Sequence, residues 1–238
     1  MPAEQLVLER GSVLTTIRIK FRKDTTVKFI SHLDMMKSFQ RTVKRAGLEA
    51  EYSHGFNPQM QMVFGSPLSL GFTSDAEYAD FSFTKDYMPN FVAEELNKTL
   101  PAGLMVEASG IRNIKTNIMA DIKYAEYIFS IKSELTIDDV ANKIMSAESL
   151  PVEKTRKNRT KTVNVRNLIL NAENFDQRLK ILVKAGNENN LNPRLLTEAL
   201  KIHIDPNIEG VGYNRIKQYV EREGRMISPL SEKALETK

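Results

Sequence analysis

Cysteine is absent from all 238 residues. That excludes disulfides, thiolate zinc sites and cysteine-ligated iron–sulfur clusters from this chain. Nowhere do ~20 consecutive apolar residues occur, the length needed to cross a bilayer, and the opening MPAEQLVLERGSV has neither the basic start nor the apolar run of a signal peptide. A cytoplasmic location and no membrane partner are expected. A strong net charge is lacking too: 34 Lys and Arg against 30 Asp and Glu leave +4. Any preference for an anionic partner must therefore lie in how the charges are distributed.

The composition that remains is globular, with 41% hydrophobic and 27% charged residues, enough apolar surface to build a core. The length exceeds one ordinary domain and suits two. Residues 14–22 alternate apolar and polar and predict a strand. Leu33, Met36, Phe39, Val43 and Ala46 recur at three or four and predict a helix over 33–47. Ser31 with Asp34 forms its capping box, Asp34 returning to the Ser31 backbone N–H, and Gly47 supplies the stop. Strands at 60–64 and 78–83, a helix at 91–100 and a strand at 104–108 complete a βαββαβ order. That order predicts an α+β fold of the ferredoxin-like, split βαβ kind with an antiparallel sheet.

After a polar connection the pattern begins again, with a strand at 124–132, a helix at 137–145, strands at 152–156, 162–170 and 179–184, and a helix at 192–203. Tandem ferredoxin-like units are expected, the first over 12–115 with a long connector over 52–71, the second over 122–226. Residues 227–238 are expected to be a flexible tail. Glu209-Gly-Val-Gly-Tyr213 lacks the residues of a nucleotide-binding loop and is expected to be a turn. His203, near a helix end, is expected to bond local carbonyls.

Two regions concentrate candidate function. The connector carries Tyr52-Ser-His-Gly-Phe-Asn-Pro-Gln-Met, with turn formers, aromatics and polar side chains in a loop longer than a hairpin needs. The run Lys154-Thr-Arg-Lys-Asn-Arg-Thr-Lys-Thr-Val-Asn-Val-Arg166 contains no acid and predicts a basic hairpin. Lys154, Arg156, Lys157, Arg159 and Lys161 suit a sequence-independent contact with a phosphate backbone, or alternatively a solubilising or protein-docking surface. Ser31 at a helix N-terminus, with Lys37, Arg41 and Lys44 along one helix stripe, suits phosphate equally, though such a stripe is also how a solvated helix face looks. Tyr52, Phe56 and Phe72 could stack on unpaired bases, with Asn57 beside them. His32 and His54 could act as acid and base on RNA, could ligate a metal with Asp34 or Asp75, or could simply complete a helix start and a turn.

The connector, with Phe29-Ile-Ser-His-Leu-Asp34 before it and Ser74-Asp-Ala-Glu-Tyr78 after it, resembles a bacterial radical-SAM-associated protein family. The resemblance is clearest over 15–110 and more diffuse beyond. The family's Gly-Phe-Asn-Pro motif runs on into His-Pro, whereas Gln59 and Met60 stand here, so no obligatory catalytic or metal role is implied at that position. Family members are fused to or encoded beside cobalamin-binding radical-SAM proteins, often near ribosomal-protein and ribonuclease genes. The resemblance thus implies an accessory module that binds RNA or a ribosomal component and acts with a separate radical-SAM protein. Cluster chemistry would belong to that partner, and no cofactor and no independent catalysis are expected of this chain. The alternatives are an autonomous RNA-processing enzyme using His32 and His54, or a protein adaptor without RNA.

Overall fold

In the computed structural model, residues 15–156, 159–186 and 189–235 are described, Arg156 and Arg159 by their backbone alone. They form two compact units, one from the described residues of Met1–Ile122 and Tyr219–Lys238, the other from those of Lys123–Gln218.

In the first unit, β1 (Thr15–Lys23) turns Ile17, Ile19 and Phe21 to one face, all fully buried. Helix α1 (His32–Arg45) buries Met35, Phe39 and Val43 in the same core. Its stop is the expected one: Gly47 adopts φ +68°, its N–H donates to Lys44 O, and the Leu48 N–H donates to Val43 O, the paired bonds of a Schellman end. Its start differs in one bond. Ser31 Oγ accepts from the Asp34 N–H at 3.1 Å, but the Asp34 carboxylate returns to Ser31 Oγ at 2.6 Å, not to the backbone N–H. Asp has one methylene fewer than the Glu that closes the usual box, so the hydroxyl is the nearer donor.

Strands β2 (Met62–Phe64) and β3 (Thr73–Phe83), helix α2 (Pro89–Thr99) and strand β4 (Leu104–Ile111) follow. The antiparallel pairing gives the order β4-β1-β3-β2, the split βαβ arrangement that the element order predicted. A short helix α3 (Ile118–Asp121) ends the connection to the second unit.

The second unit repeats the plan. After β5 (Ile122–Lys132), helix α4 (Ile137–Ser146) is capped by Thr136 on the Asp139 N–H at 3.1 Å, with Thr136 Oγ1 donating to the Asp139 carboxylate at 2.7 Å. This is the geometry of Ser31 and Asp34 again. A two-stranded ribbon, β6 (Pro151–Arg156) with β7 (Arg159–Asn164), precedes β8 (Ile169–Phe175), β9 (Arg178–Lys184), helix α5 (Pro193–His203) and β10 (Glu209–Arg222). Both second helices, α2 and α5, carry proline in the first turn. The sheet order β10-β5-β9-β8 is that of the first unit, with the β6–β7 ribbon as an insertion outside it. The fold is α+β with antiparallel ferredoxin-like units in tandem.

Three expectations are corrected. Residues 162–170 are not one strand: Asn164 Oδ1 accepts from the Arg166 and Leu150 N–H groups and opens a 3-10 turn, Val165–Leu168, between β7 and β8. Residues 209–213 are not a turn but the start of β10. Gly210 leaves room for the Tyr213 ring, since a Cβ there would lie 1.9 Å from its hydroxyl oxygen.

The third correction concerns the C-terminal stretch. Strand β11 (Arg225–Ile227) pairs with the end of β10, and a last helical turn, α6 (Glu232–Leu235), buries Ala234 completely. The Asn113 N–H donates to Leu235 O at 2.7 Å, Arg18 Nη1 donates to Pro229 O at 3.2 Å, and Tyr78 hydrogen-bonds Ser228. Arg18, Tyr78 and Asp80 lie on the face of the β1–β3 pair opposite Ile17 and Ile19. Residues 228–235 dock there because that face is buried and needs a cover.

Candidate nucleic-acid interface

On α1, Lys37, Arg41 and Lys44 are exposed at spacings of four and three, opposite the buried Met35, Phe39 and Val43. None of the three has an ion-pair partner among the described residues. Arg45 is different, because it donates to Thr99 O at 2.9 Å. Ser31 does not stand free for phosphate. Its hydroxyl is bonded both ways to Asp34, and that carboxylate takes up the place at the helix N-terminus where an anion would sit.

The connector folds into a small hairpin. Tyr52 bridges Met60, the Ser53 N–H donates to Gln59 O at 2.8 Å, and the Gln59 N–H donates to Ser53 Oγ at 2.9 Å. Met60 is buried and anchors the base. The tip, residues 54–58, turns at Gly55, whose φ of +121° only glycine adopts readily. His54, Phe56 and Asn57 are all exposed, Phe56 fully so at 112%. Lys44 Nζ sits 5.9 Å from the centre of the Tyr52 ring, a cation–π contact that ties the hairpin to the basic stripe. Phe72 is 1% exposed and is core, which removes it from the stacking candidates.

The histidines do not meet. The His32 ring packs edge-on against Phe64 at 5.8 Å, whereas His54 lies beyond the Tyr52–Met60 bridge. They are anchored at opposite ends of 60–64, a stretch of about 13 Å at strand rise. Among the described residues no group of three or more His, Asp or Glu side chains could hold a metal ion.

In the second unit the basic hairpin is the β6–β7 ribbon. Its register sets Lys154 opposite Lys161 and Arg156 opposite Arg159, with Thr155 opposite Thr160 between them. Alternation places the four basic positions on one face, while the two threonine hydroxyls meet at 3.1 Å on the other. Lys154 and Lys161 are exposed; Lys157 lies outside the described residues. The ribbon's base is fixed from two sides. His203 Nε2 bonds Pro151 O at 2.7 Å, reaching across to β6 instead of its own helix carbonyls. Arg166, the last of the basic run, donates to Met145 O, Ala147 O and Ile169 O and so is a brace, not part of the exposed surface.

A family model described as an uncharacterized protein conserved in bacteria, DUF2344, matches residues 16–193. The chain belongs to that family. The DUF2344 match runs from the second residue of β1 to the first of α5, so both basic surfaces fall inside it. No curated protein matches the chain. Among the described residues no helix is long and apolar enough to cross a membrane.

Proposed function

We propose that this DUF2344 protein is an RNA-binding accessory module that acts with a separate radical-SAM protein in RNA or ribosome metabolism. The observation that carries the RNA reading is the register of the β6–β7 ribbon. Lys154 is the register partner of Lys161, and Arg156 that of Arg159, on a hairpin outside the main sheet. Like charges directly opposite are destabilising, and a polyanion laid along that face reverses the sign. The absence of cysteine leaves any cluster chemistry to the partner, in keeping with the resemblance to radical-SAM-associated proteins.

The separation of His32 from His54 counts against an autonomous enzyme built on that pair. Affinity for RNA should fall with salt. Replacing Lys154, Arg156, Arg159 and Lys161 by Gln should flatten the log–log salt slope by up to roughly 3, at ~0.7 per lost single-strand phosphate contact. Crosslinking and recovery of RNA from cells, wild type against that variant, names the RNA. Wild-type protein that recovers none, and shows no salt-dependent binding, leaves the adaptor reading in its place.

A further inference from the structure

Resting on the RNA-binding reading, we infer that the 52–60 hairpin and the α1 stripe form a seat for unpaired nucleotides, distinct from the backbone contact of the β6–β7 ribbon. Three features of the first unit support it, with the Lys44–Tyr52 contact as the link between hairpin and helix. The hairpin's base is held by the Tyr52–Met60 bridge, the two Ser53–Gln59 bonds and the burial of Met60, so the tip is presented, not left to collapse. At that tip stands Phe56, fully exposed, with Tyr52 part-exposed at the base. Lys44 lies on the Tyr52 ring, and Arg41 and Lys37 continue from it along α1 over about 10 Å of helix.

An occupant must satisfy both halves of that surface. Cations without ion-pair partners call for a repeated anion, and exposed rings call for flat apolar faces at the same place. A polynucleotide supplies both, phosphates along the backbone and a π-face on every base. In a duplex those faces are covered by stacking neighbours, so a ring at a hairpin tip reaches them only where the bases are unpaired. An acidic peptide matches the cations but offers nothing specific to Phe56. Stacking on an aromatic is sequence-tolerant, so the seat selects single-strandedness, not a base.

The test compares a single-stranded RNA of about 20 nucleotides, without self-complementarity, with its duplex, by fluorescence anisotropy on the full chain. Phe56→Ala should weaken single-strand binding by about tenfold, the lower range for one lost stack. Its duplex affinity and salt slope should be unchanged, and Phe56→Tyr should restore binding. The fourfold Gln variant of the β6–β7 ribbon should do the reverse, weakening both RNAs while keeping the single-strand preference. Because Phe56 touches no core residue, its loss leaves the fold intact. An Ala variant that binds single strands as wild type does, while the ribbon variant is weakened, overturns the seat and leaves the RNA-binding reading standing. Failure of wild type to bind either RNA overturns both, as does equal competition by polyglutamate.

Discussion

Arg18 and Asp80 are register partners across β1 and β3, with Arg18 Nε 2.7 Å from Asp80 Oδ1 and both side chains almost wholly buried. The guanidinium also reaches Asp80 Oδ2 at 3.1 Å, Asp121 Oδ2 at 3.2 Å and Pro229 O. The Asp80 carboxylate in turn accepts the Ile118 N–H at 2.8 Å. One arginine thus joins the sheet, the connection to the second unit and the C-terminal stretch. Breaking a buried pair strands a charge, at about 3–5 kcal/mol. Arg18→Met removes the central guanidinium and leaves Arg112 beside Asp80 at 3.6 Å and Arg222 beside Asp121 at 3.3 Å. Urea unfolding should show a loss in that range, with faster proteolysis near 228–235. A loss below about 1 kcal/mol would mean the network is neutral.

The like-charge pairs of the β6–β7 ribbon should trade stability against binding. In Lys154→Gln/Lys161→Gln the repulsion across one register pair is removed, and thermal stability should rise by about 0.2–1 kcal/mol while RNA affinity falls. Added salt should stabilise wild type more than the variant, because screening relieves the same repulsion. A variant that is less stable, or that binds RNA unchanged, would assign these lysines to the fold and not to a ligand.

The first unit was legible because its punctuation is local. Ser31 with Asp34, Gly47 and Pro89 each act within a turn of where they stand, so the helix limits could be read directly. The second unit hid two strands behind misleading punctuation. The β8–β9 turn is made by Asp176 and Gln177, both at positive φ, without the glycine that announces such turns. Gly210, conversely, lies inside a strand to admit the Tyr213 ring, so a spacing requirement resembled a turn signal. The docking of 228–235 depends on the buried Arg18–Asp80 face, a non-local cause that a polar stretch of sequence does not reveal. The site divides the same way. An acid-free run marks the basic hairpin, but which cations oppose which is set by register. Gly55-Phe56 and Gly71-Phe72 are the same dipeptide, yet one phenyl ring lies in solvent and the other in the core.

Tyr78 should show in alkaline titration. Burial pushes its phenol up from 10.0 to about 12, with the Glu77 and Glu107 charges adding to the rise and the Ser228 bond opposing it. The unfolded phenol ionises near about 10. Its contribution to stability is therefore fully present below that pH and is lost as pH rises towards 12. Near-ultraviolet phenolate absorbance of the native protein should include a late step, rising towards pH 12. Tyr78→Phe should remove that step and lessen the alkaline loss of stability. Should Tyr78→Phe leave the alkaline titration of the native protein unchanged, the docked cover over Tyr78 is open in solution.

Asp205 ties two turns of the second unit together. Its carboxylate accepts from Ser133 Oγ at 2.6 Å, the Glu134 N–H at 3.0 Å and the Asn207 N–H at 2.9 Å, joining the β5–α4 turn to the α5–β10 turn. The Ser133 hydroxyl first, and the Asn207 N–H after it, hold this carboxyl below its ordinary value. The stabilisation is therefore complete above the unfolded value of about 4 and is lost as pH falls through the lower folded value. Hydrogen exchange at the Glu134 and Asn207 amides should be slow at neutral pH and should open on acidification. Asp205→Asn keeps one carbonyl acceptor but neither the charge nor the second oxygen. In that variant both amides should exchange faster at neutral pH, and the acid step should vanish. If both amides keep wild-type protection in Asp205→Asn, the two turns are held by backbone packing and the carboxylate is incidental to them.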